Sequence, residues 1–176
     1  IHSVKPGEHG TISNFNIIAT NYYDEKNFFK TKKSIKKKDF INIFEKNILK
    51  HLIADKKFAI ALSGGLDSQS LAHVVLSKSK IKREVMNYCI EFKGHKNSEF
   101  NEAKKFTEAY KSQINKIQID ENYIINNFGN LVQKNEGPLG GIMQIGMFKL
   151  AEIAKENSFD ILLAGWGLDE CFGSYK

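Results

Sequence analysis

Short apolar runs alternate with stretches of helical periodicity over most of the chain, from residue 57 to residue 164. The runs predicted to be strands are 58–62, 85–92, 114–119 and 160–164. The segments predicted to be helices are 69–77, 98–111 and 142–156, with a mixed helical region at 121–133. Continuous apolar strands separated by helices indicate a parallel sheet that is covered on both faces. We therefore predict an α/β fold with a doubly wound parallel sheet.

The first part of the chain has a different pattern. A Pro6-Gly7 turn followed by a β-branched and aromatic stretch at 15–23 predicts a short β-hairpin. A Lys-rich stretch comes next, and apolar residues then recur at helical spacing, which predicts an amphipathic helix over 34–54. We divide the chain into a hairpin linker, residues 1–33, and an α/β domain, residues 34–176.

Composition narrows the class of protein. The 176 residues suit one soluble domain, and no uncharged apolar run approaches the roughly 18–20 residues that a bilayer crossing needs. The two cysteines, Cys89 and Cys171, are too few for a disulfide framework or a cysteine zinc cluster. We expect a reduced, cytoplasmic protein that has no membrane partner.

The net charge of +6 comes from 26 basic residues, of which Arg83 is the only arginine, against 20 acidic ones. Seven lysines fall between Lys26 and Lys38. Specific nucleic-acid recognition favours arginine forks and stacked aromatic rings, so we read this stretch as a solvated surface and expect no nucleic-acid partner. The alternative is a lysine-driven anion-binding domain, whose binding would depend steeply on salt and would not need Mg²⁺.

The segment Ser63-Gly64-Gly65-Leu66-Asp67-Ser68 lies directly between the first predicted core strand and its helix. Adjacent glycines let backbone N–H groups approach an anion closely, and a helix start adds unpaired donors. The two serine hydroxyls can also donate. Such a loop suits phosphate oxygens.

Asp67 would repel a bare phosphate at close range, so its presence implies a bridging Mg²⁺. The simpler interpretation is a Gly-Gly turn in which the carboxylate only caps backbone donors, and it applies to Asp169 as well. The loop has no lysine at Walker spacing and no Gly-x-Gly-x-x-Gly, which disfavours P-loop nucleotide hydrolases and Rossmann dehydrogenases.

The loop resembles the pyrophosphate loop of the N-type ATP pyrophosphatases, which cleave ATP between its α- and β-phosphates. NAD, GMP and asparagine synthetases share that loop. Residues 164–175, Ala-Gly-Trp-Gly-Leu-Asp-Glu-Cys-Phe-Gly-Ser-Tyr, resemble the Gly-x-Gly-x-Asp-Glu-x-Phe-Gly-x-Tyr segment of the asparagine synthetase branch. Weaker similarities lie at 4–7 with 22–24, at 98–103 and at 136–138.

This resemblance implies an asparagine synthetase-like reaction that uses ATP and Mg²⁺. A carboxylate is activated as an acyl-adenylate with release of pyrophosphate, and ammonia derived from glutamine, or an amine, then attacks to form an amide. The resemblance also implies an upstream glutaminase domain that supplies ammonia, a longer C-terminal part than this chain has, and an aspartate-like carboxylate partner. A homodimer is compatible with it.

In open α/β sheets the ligand lies at the carboxyl ends of the strands, where strand order reverses, and both motif loops leave such ends. We therefore expect Asp67 and Asp169 to be catalytic residues that meet and hold Mg²⁺ on the ATP phosphates. The resemblance adds adenine contacts near Ala61 and Ile90. The full set of predicted nucleotide-binding residues is Ala61, Leu62, Ser63, Gly64, Gly65, Asp67, Ser68, Ile90, Ala164 and Gly165.

Trp166 departs from the resemblance, because asparagine synthetases similar to this chain carry Glu there. Indole cannot accept a proton. Trp166 either packs as a hydrophobe in a degenerate loop or forms the wall of a pocket for a larger, less polar substrate. The alternatives to asparagine formation are therefore amidation or cyclisation of another carboxylate, such as a sugar acid or peptide, and nucleotide binding without turnover. Met143 and Met147 are predicted to be core residues.

Overall fold

The computed structural model describes residues 4–14, 16–23, 34–52, 56–78, 85–94 and 98–172. Contacts along the chain divide it into two compact units, Ile1–Ile41 and Asn42–Lys176. Part of the predicted linker, residues 24–33, and the end of the second motif, residues 173–175, lie outside the described residues.

The first unit contains an antiparallel hairpin, which confirms the hairpin prediction. Its strands are β1, Glu8–Ser13, and β2, Asn16–Asn21. The N–H groups of Tyr22 and Tyr23 donate to the Gly7 carbonyl at 2.9 and 3.3 Å, which closes the open end. Gly7 has φ +79°, and a Cβ there would lie 2.6 Å from the Tyr23 carbonyl oxygen, so the turn requires glycine.

The second unit contains a parallel sheet. Its described strands are β3, Phe58–Ala61; β4, Val85–Phe92; β5, Ile114–Ile119; and β6, Ile161–Leu163. They lie in the order β5-β4-β3-β6, with every neighbouring pair parallel. The chain adds β4 and β5 on one side of β3 and then returns to add β6 on the other. The switch point of the sheet therefore lies between β3 and β6.

Helices precede, connect and follow these strands, and the first of them begins before the boundary of the two units. The described helices are α1, Lys37–His51; α2, Leu66–Lys78; α3, Phe100–Ala109; α4, Glu121–Lys134; α5, Ile142–Glu156; and α6, Leu168–Phe172. The region predicted to be mixed is one regular helix, α4, because the Asp120 carboxylate accepts from the Tyr123 N–H at 2.8 Å and caps it. The last predicted strand is shorter than expected, since only Ile161–Leu163 pairs with β3.

Both faces of the sheet are buried, which confirms the doubly wound fold. On one face Phe58 and Ile60 pack with residues of α1, α2 and α3. On the other face Ala59 packs with residues of α4 and α5, including the fully buried Leu150. Phe58, Ala59 and Ile60 thus point alternately to opposite cores, and all three are inaccessible to solvent. This burial explains why the strand is apolar throughout rather than alternating.

None of the helices in the described ranges is long and apolar enough to cross a membrane. The two cysteines are not joined: Cys89 is buried in the sheet, and Cys171 is exposed on α6.

Candidate functional site

A cavity of about 480 Å³ opens at the carboxyl edge of the sheet, where the loops that follow β3 and β6 lie side by side. Its walls are formed by Ala61, Leu62, Ser63, Gly65, Leu66, Asp67, Ser68, Tyr88, Ile90, Glu99, Met143, Met147, Ala164, Gly165, Trp166 and Asp169. The structure thus brings the predicted site residues together around one cavity, with the exception of Gly64. This position coincides with the switch point of the sheet.

The loop after β3 is held in shape by its own serines. The buried Ser68 hydroxyl oxygen accepts from the Ser63 N–H at 3.0 Å and lies 3.1 Å from the Gly65 carbonyl and 2.9 Å from the Ser63 hydroxyl. The Gly65 N–H in turn donates to the Ser63 hydroxyl at 3.1 Å. These bonds occupy the Ser68 hydroxyl within the loop. The hydroxyl would therefore help to bind an anion by shaping the loop rather than by contacting it. The first N–H groups of α2 have no acceptor within the helix and can donate to an anion.

The two glycines of this loop have different surroundings. A Cβ on Gly64 would lie 3.2 Å from the Glu102 Cβ and 3.3 Å from the Glu99 carbonyl oxygen, so Gly64 packs against the start of α3 rather than facing the cavity. A Cβ on Gly65 would meet only the Ser63 hydroxyl, at 3.2 Å. Gly65 is therefore the residue that leaves open space on the cavity side of the loop.

Gly165 brings the two loops into contact. A Cβ at this position would lie 2.9 Å from the Ser68 backbone nitrogen and 3.2 Å from the Asp67 Cβ. Real side chains do not tolerate such distances, so only glycine allows the loop after β6 to lie against the first turn of α2. The sequence motif predicted this glycine near the nucleotide, and the structure shows what it packs against.

Asp67 and Asp169 meet across this contact. Partial burial, followed by the charge of Asp169 and a side-chain hydrogen bond with it, raises the pKa of Asp67 above its ordinary value. The charge of Glu170 adds a smaller effect in the same direction. Two carboxyl groups 102 positions apart in sequence thus share one corner of the cavity.

The donor set of this corner suits Mg²⁺. Magnesium binds oxygen ligands and in proteins usually takes one or two carboxylates, with water and substrate phosphates completing its octahedron. The described residues contain no group of three or more His, Cys, Asp or Glu side chains that could hold a metal alone. A pair of carboxylates beside a loop that suits phosphate fits an ion that arrives with its nucleotide.

Several cavity residues were not predicted from the sequence. Tyr88 and Glu99 line the walls, and the only signal for Glu99 was its place in a weakly similar segment. The prediction that Met143 is a core residue is wrong: its side chain is 55% exposed, because the first turn of α5 lies at the cavity mouth. Trp166 is 70% exposed and lines the same cavity, which excludes the packed-hydrophobe interpretation.

The sequence profile of a known family, described as asparagine synthase, matches residues 40–176, more than three quarters of the chain. The chain belongs to the asparagine synthase family. The match includes both loops of the cavity, and it confirms the family resemblance that those loops carried.

The individual proteins that resemble this member of the asparagine synthase family share less than a third of its residues. Amidase chry2 of Gibberella zeae is 28% identical over 136 residues, which cover 70% of this chain and 20% of the relative. Asparagine synthetase [glutamine-hydrolyzing] 2 of Oryza sativa subsp. japonica is 28% identical over 141 residues, covering 75% and 24%. The chain therefore spans about a fifth to a quarter of the length of these curated relatives.

One solved structure supports the fold. The U34-tRNA thiolase NcsA from Methanococcus maripaludis, a structure with a [4Fe-4S] cluster, superposes with a TM-score of 0.52 at 22% identity. The alignment covers 74% of this chain and 46% of the thiolase. At this level of identity the likeness extends to the α/β architecture alone.

Proposed function

We propose that this chain is the synthetase part of an ATP-dependent, amide-forming ligase. The carboxylate substrate is activated with ATP as an acyl-adenylate, pyrophosphate leaves, and ammonia or an amine attacks the activated carbonyl. One observation carries the proposal: the loops after β3 and β6, which hold the two family motifs, bring Asp67 and Asp169 into contact in one cavity at the switch point of the sheet.

The walls of the cavity divide the work of nucleotide binding. The N–H groups of Ser63 and Gly65 are used within the loop, so the first turn of α2 presents the backbone N–H groups that bind the pyrophosphate part of ATP, with Gly65 leaving room for its oxygens. The adenosine lies toward the strand ends, near Ala61 and Ile90, both of which line the cavity. Gly165 holds the second loop close enough to contact the nucleotide. No covalent enzyme nucleophile is needed.

Asp67 and Asp169 are the proposed magnesium ligands. A bound Mg²⁺ would neutralise the negative charge that develops as pyrophosphate leaves. Without the ion, burial first and the negative charge of Asp169 second raise the pKa of Asp67, so the ionised pair is disfavoured. The pair therefore stores an unfavourable interaction that a divalent cation relieves, and metal and nucleotide should bind together.

Two features favour a carboxylate other than aspartate. Trp166 stands where asparagine synthetases resembling this chain carry Glu, and it faces the cavity. One protein similar to this chain, 28% identical over 136 residues, is named an amidase rather than an asparagine synthetase. We place the activity in a larger cytoplasmic protein, with residues 1–33 as the linker from a glutaminase domain and residues 34–176 as the synthetase domain.

Product analysis tests this function. Full-length protein is incubated with ATP, Mg²⁺, an ammonium salt and a panel of carboxylic acids, and nucleotides and phosphates are separated. We expect AMP and pyrophosphate, abolished by Asp67→Asn and unaffected by Asp160→Asn, which removes an exposed carboxylate outside the cavity. Formation of ADP and phosphate would contradict the proposal.

The same assay tests the substrate. With aspartate as the acid, little asparagine should form, and Trp166→Glu should increase it. Efficient asparagine formation by the unmodified protein would show that Trp166 does not exclude aspartate.

A further inference from the structure

Three large apolar side chains are exposed around the mouth of the candidate site. Leu66 is 79% exposed, Met143 55% and Trp166 70%, and all three line the cavity. They come from different segments: the start of α2, the start of α5 and the loop before α6. We call these three residues the apolar rim. Apolar side chains gathered at one cavity, rather than scattered singly, are typical of a site for an apolar ligand.

The charges in the cavity point in the same direction. Its described walls include Asp67, Glu99 and Asp169 but no lysine, arginine or histidine. A substrate such as aspartate carries a second carboxylate, which would need a cationic partner to offset its loss of water. None of the described wall residues supplies one, and the carboxylates already present would repel it. The walls therefore favour an acid whose only charge is the carboxylate that reacts.

We propose that the acid activated here is a monocarboxylate with a flat, apolar body, such as an aryl or conjugated acid, and that this body rests on the apolar rim. The inference rests on the proposed function, since it names the substrate class of the same site. Trp166 is the main specificity residue. Its indole offers a broad face for an aromatic partner, and offset stacking adds to the burial of apolar area.

The apolar rim is also chemically suitable for the adenine of ATP, so the positions of adenine and of the acid must be distinguished. In the proposed arrangement adenine lies at the strand ends, near Ala61 and Ile90, and leaves the apolar rim free. Nucleotide and acid should then bind at the same time. If adenine covered the rim, the acid and the nucleotide would compete.

Equilibrium dialysis of the full-length protein tests this. The probes are labelled 3-phenylpropanoate, 3-cyclohexylpropanoate and L-aspartate, each with Mg²⁺ and with or without α,β-methylene-ATP, and the nucleotide carries the label in a separate series. We expect 3-phenylpropanoate to bind about tenfold or more tightly than aspartate, and more tightly than the non-planar cyclohexyl acid. Trp166→Phe should retain binding within about threefold, whereas Trp166→Ala and Met143→Ala should weaken it about tenfold. Ile142→Ala, an exposed neighbour on α5 that does not line the cavity, is the matched control.

The results of this experiment distinguish a failure of the proposed substrate class from a failure of the proposed function. If the nucleotide binds but aspartate binds as well as the aryl acid, or the rim variants bind like the control, the substrate class is wrong and the proposed function stands. Competition between acid and nucleotide would also overturn the inference. If labelled nucleotide itself fails to bind, the proposed function is wrong, and the substrate class falls with it.

Discussion

At the scale of single residues, the candidate site depends on glycines whose surroundings differ. Gly65 faces open space in the cavity, Gly64 packs against α3, and Gly165 allows two loops to touch. The sequence motif contains all three but does not distinguish these roles. Gly165 has the strictest requirement, because the atoms nearest its missing Cβ belong to backbone, which cannot rotate away.

Gly165→Ala should therefore damage the site more than the fold. A methyl group 2.9 Å from the Ser68 nitrogen must push the loop after β6 away from α2, at a cost of about 1–3 kcal/mol in the free energy of unfolding. Asp169 moves with that loop, so Mg-ATP affinity should fall at least about tenfold, measured by titration calorimetry. Gly137→Ala, which enters open space, is the control. Unchanged affinity in Gly165→Ala would show that the loop contact is not needed.

The carboxylate pair predicts a conflict between stability and binding. The pKa of Asp67 in the folded state is raised above the ordinary value of 3.8, so the unfolded chain loses this proton at lower pH than the folded chain. Without metal, the free energy of unfolding should therefore fall as the pH rises from the unfolded-state pKa to the folded-state pKa. At a pH above the folded-state pKa of Asp67, Asp67→Asn should raise the Tm in the absence of Mg²⁺ and abolish the stabilisation by Mg-ATP. Asp160→Asn should do neither. A lower Tm for Asp67→Asn would mean that the pair is not repulsive.

At the scale of elements, a polar network joins α4 to α5 behind the cavity. The Tyr123 hydroxyl donates to a Glu152 carboxylate oxygen at 2.9 Å, and Lys134 and Lys149 approach the same carboxylate at 3.6 and 3.8 Å. The Lys149 ammonium also lies 4.7 Å from the centre of the Tyr123 ring. Met143 and Met147, which line the cavity, lie on α5. By joining α5 to α4, this network helps to hold that wall of the cavity in place.

Tyr123→Phe should lower the free energy of unfolding by about 1.5–3 kcal/mol, the value of a hydrogen bond to a charged acceptor. Burial, and then the bond to Glu152, raise the pKa of Tyr123 from 10.0 to about 12. The folded state holds this proton longer, so the hydroxyl's contribution is present below pH 10.0 and falls as pH rises through that interval. Urea unfolding at several pH values measures it, with the exposed Tyr22→Phe as control. Equal stability of Tyr123→Phe and wild type at neutral pH would contradict this.

At the scale of the whole molecule, the order of the strands creates the site. Placing β6 beside β3 makes two loops that are distant in sequence leave the same edge, and this meeting could be predicted because parallel strands end at a common edge. The fold and the carboxylate pair were accessible to sequence reasoning for that reason.

The other walls of the cavity could not be predicted from the sequence in the same way. Whether Met143 or Glu99 reaches the cavity depends on how α5 and the start of α3 pack against the sheet. The helical spacing of apolar residues does not specify that packing: Met143 has the pattern of a core residue but lies at an open mouth. Similarly, the exposure of Trp166 follows from its place in a loop between two glycines, where neither strand nor helix periodicity applies.

In the proposed function, the loop from Ser63 to Ser68 binds the phosphates of Mg-ATP through its backbone. Gly65→Val is the informative variant, because within the described fold the new Cβ meets only the Ser63 hydroxyl, at 3.2 Å, a side-chain end that can rotate, and the rest of the side chain fills the cavity side of the loop. Calorimetric titration of Mg-ATP should show binding to the wild type, a loss of at least about tenfold in Gly65→Val with little change in Tm, and normal binding in Gly129→Val, where the side chain enters open space. Wild-type affinity in Gly65→Val, or no binding to the wild type, would show that this loop does not bind the phosphates.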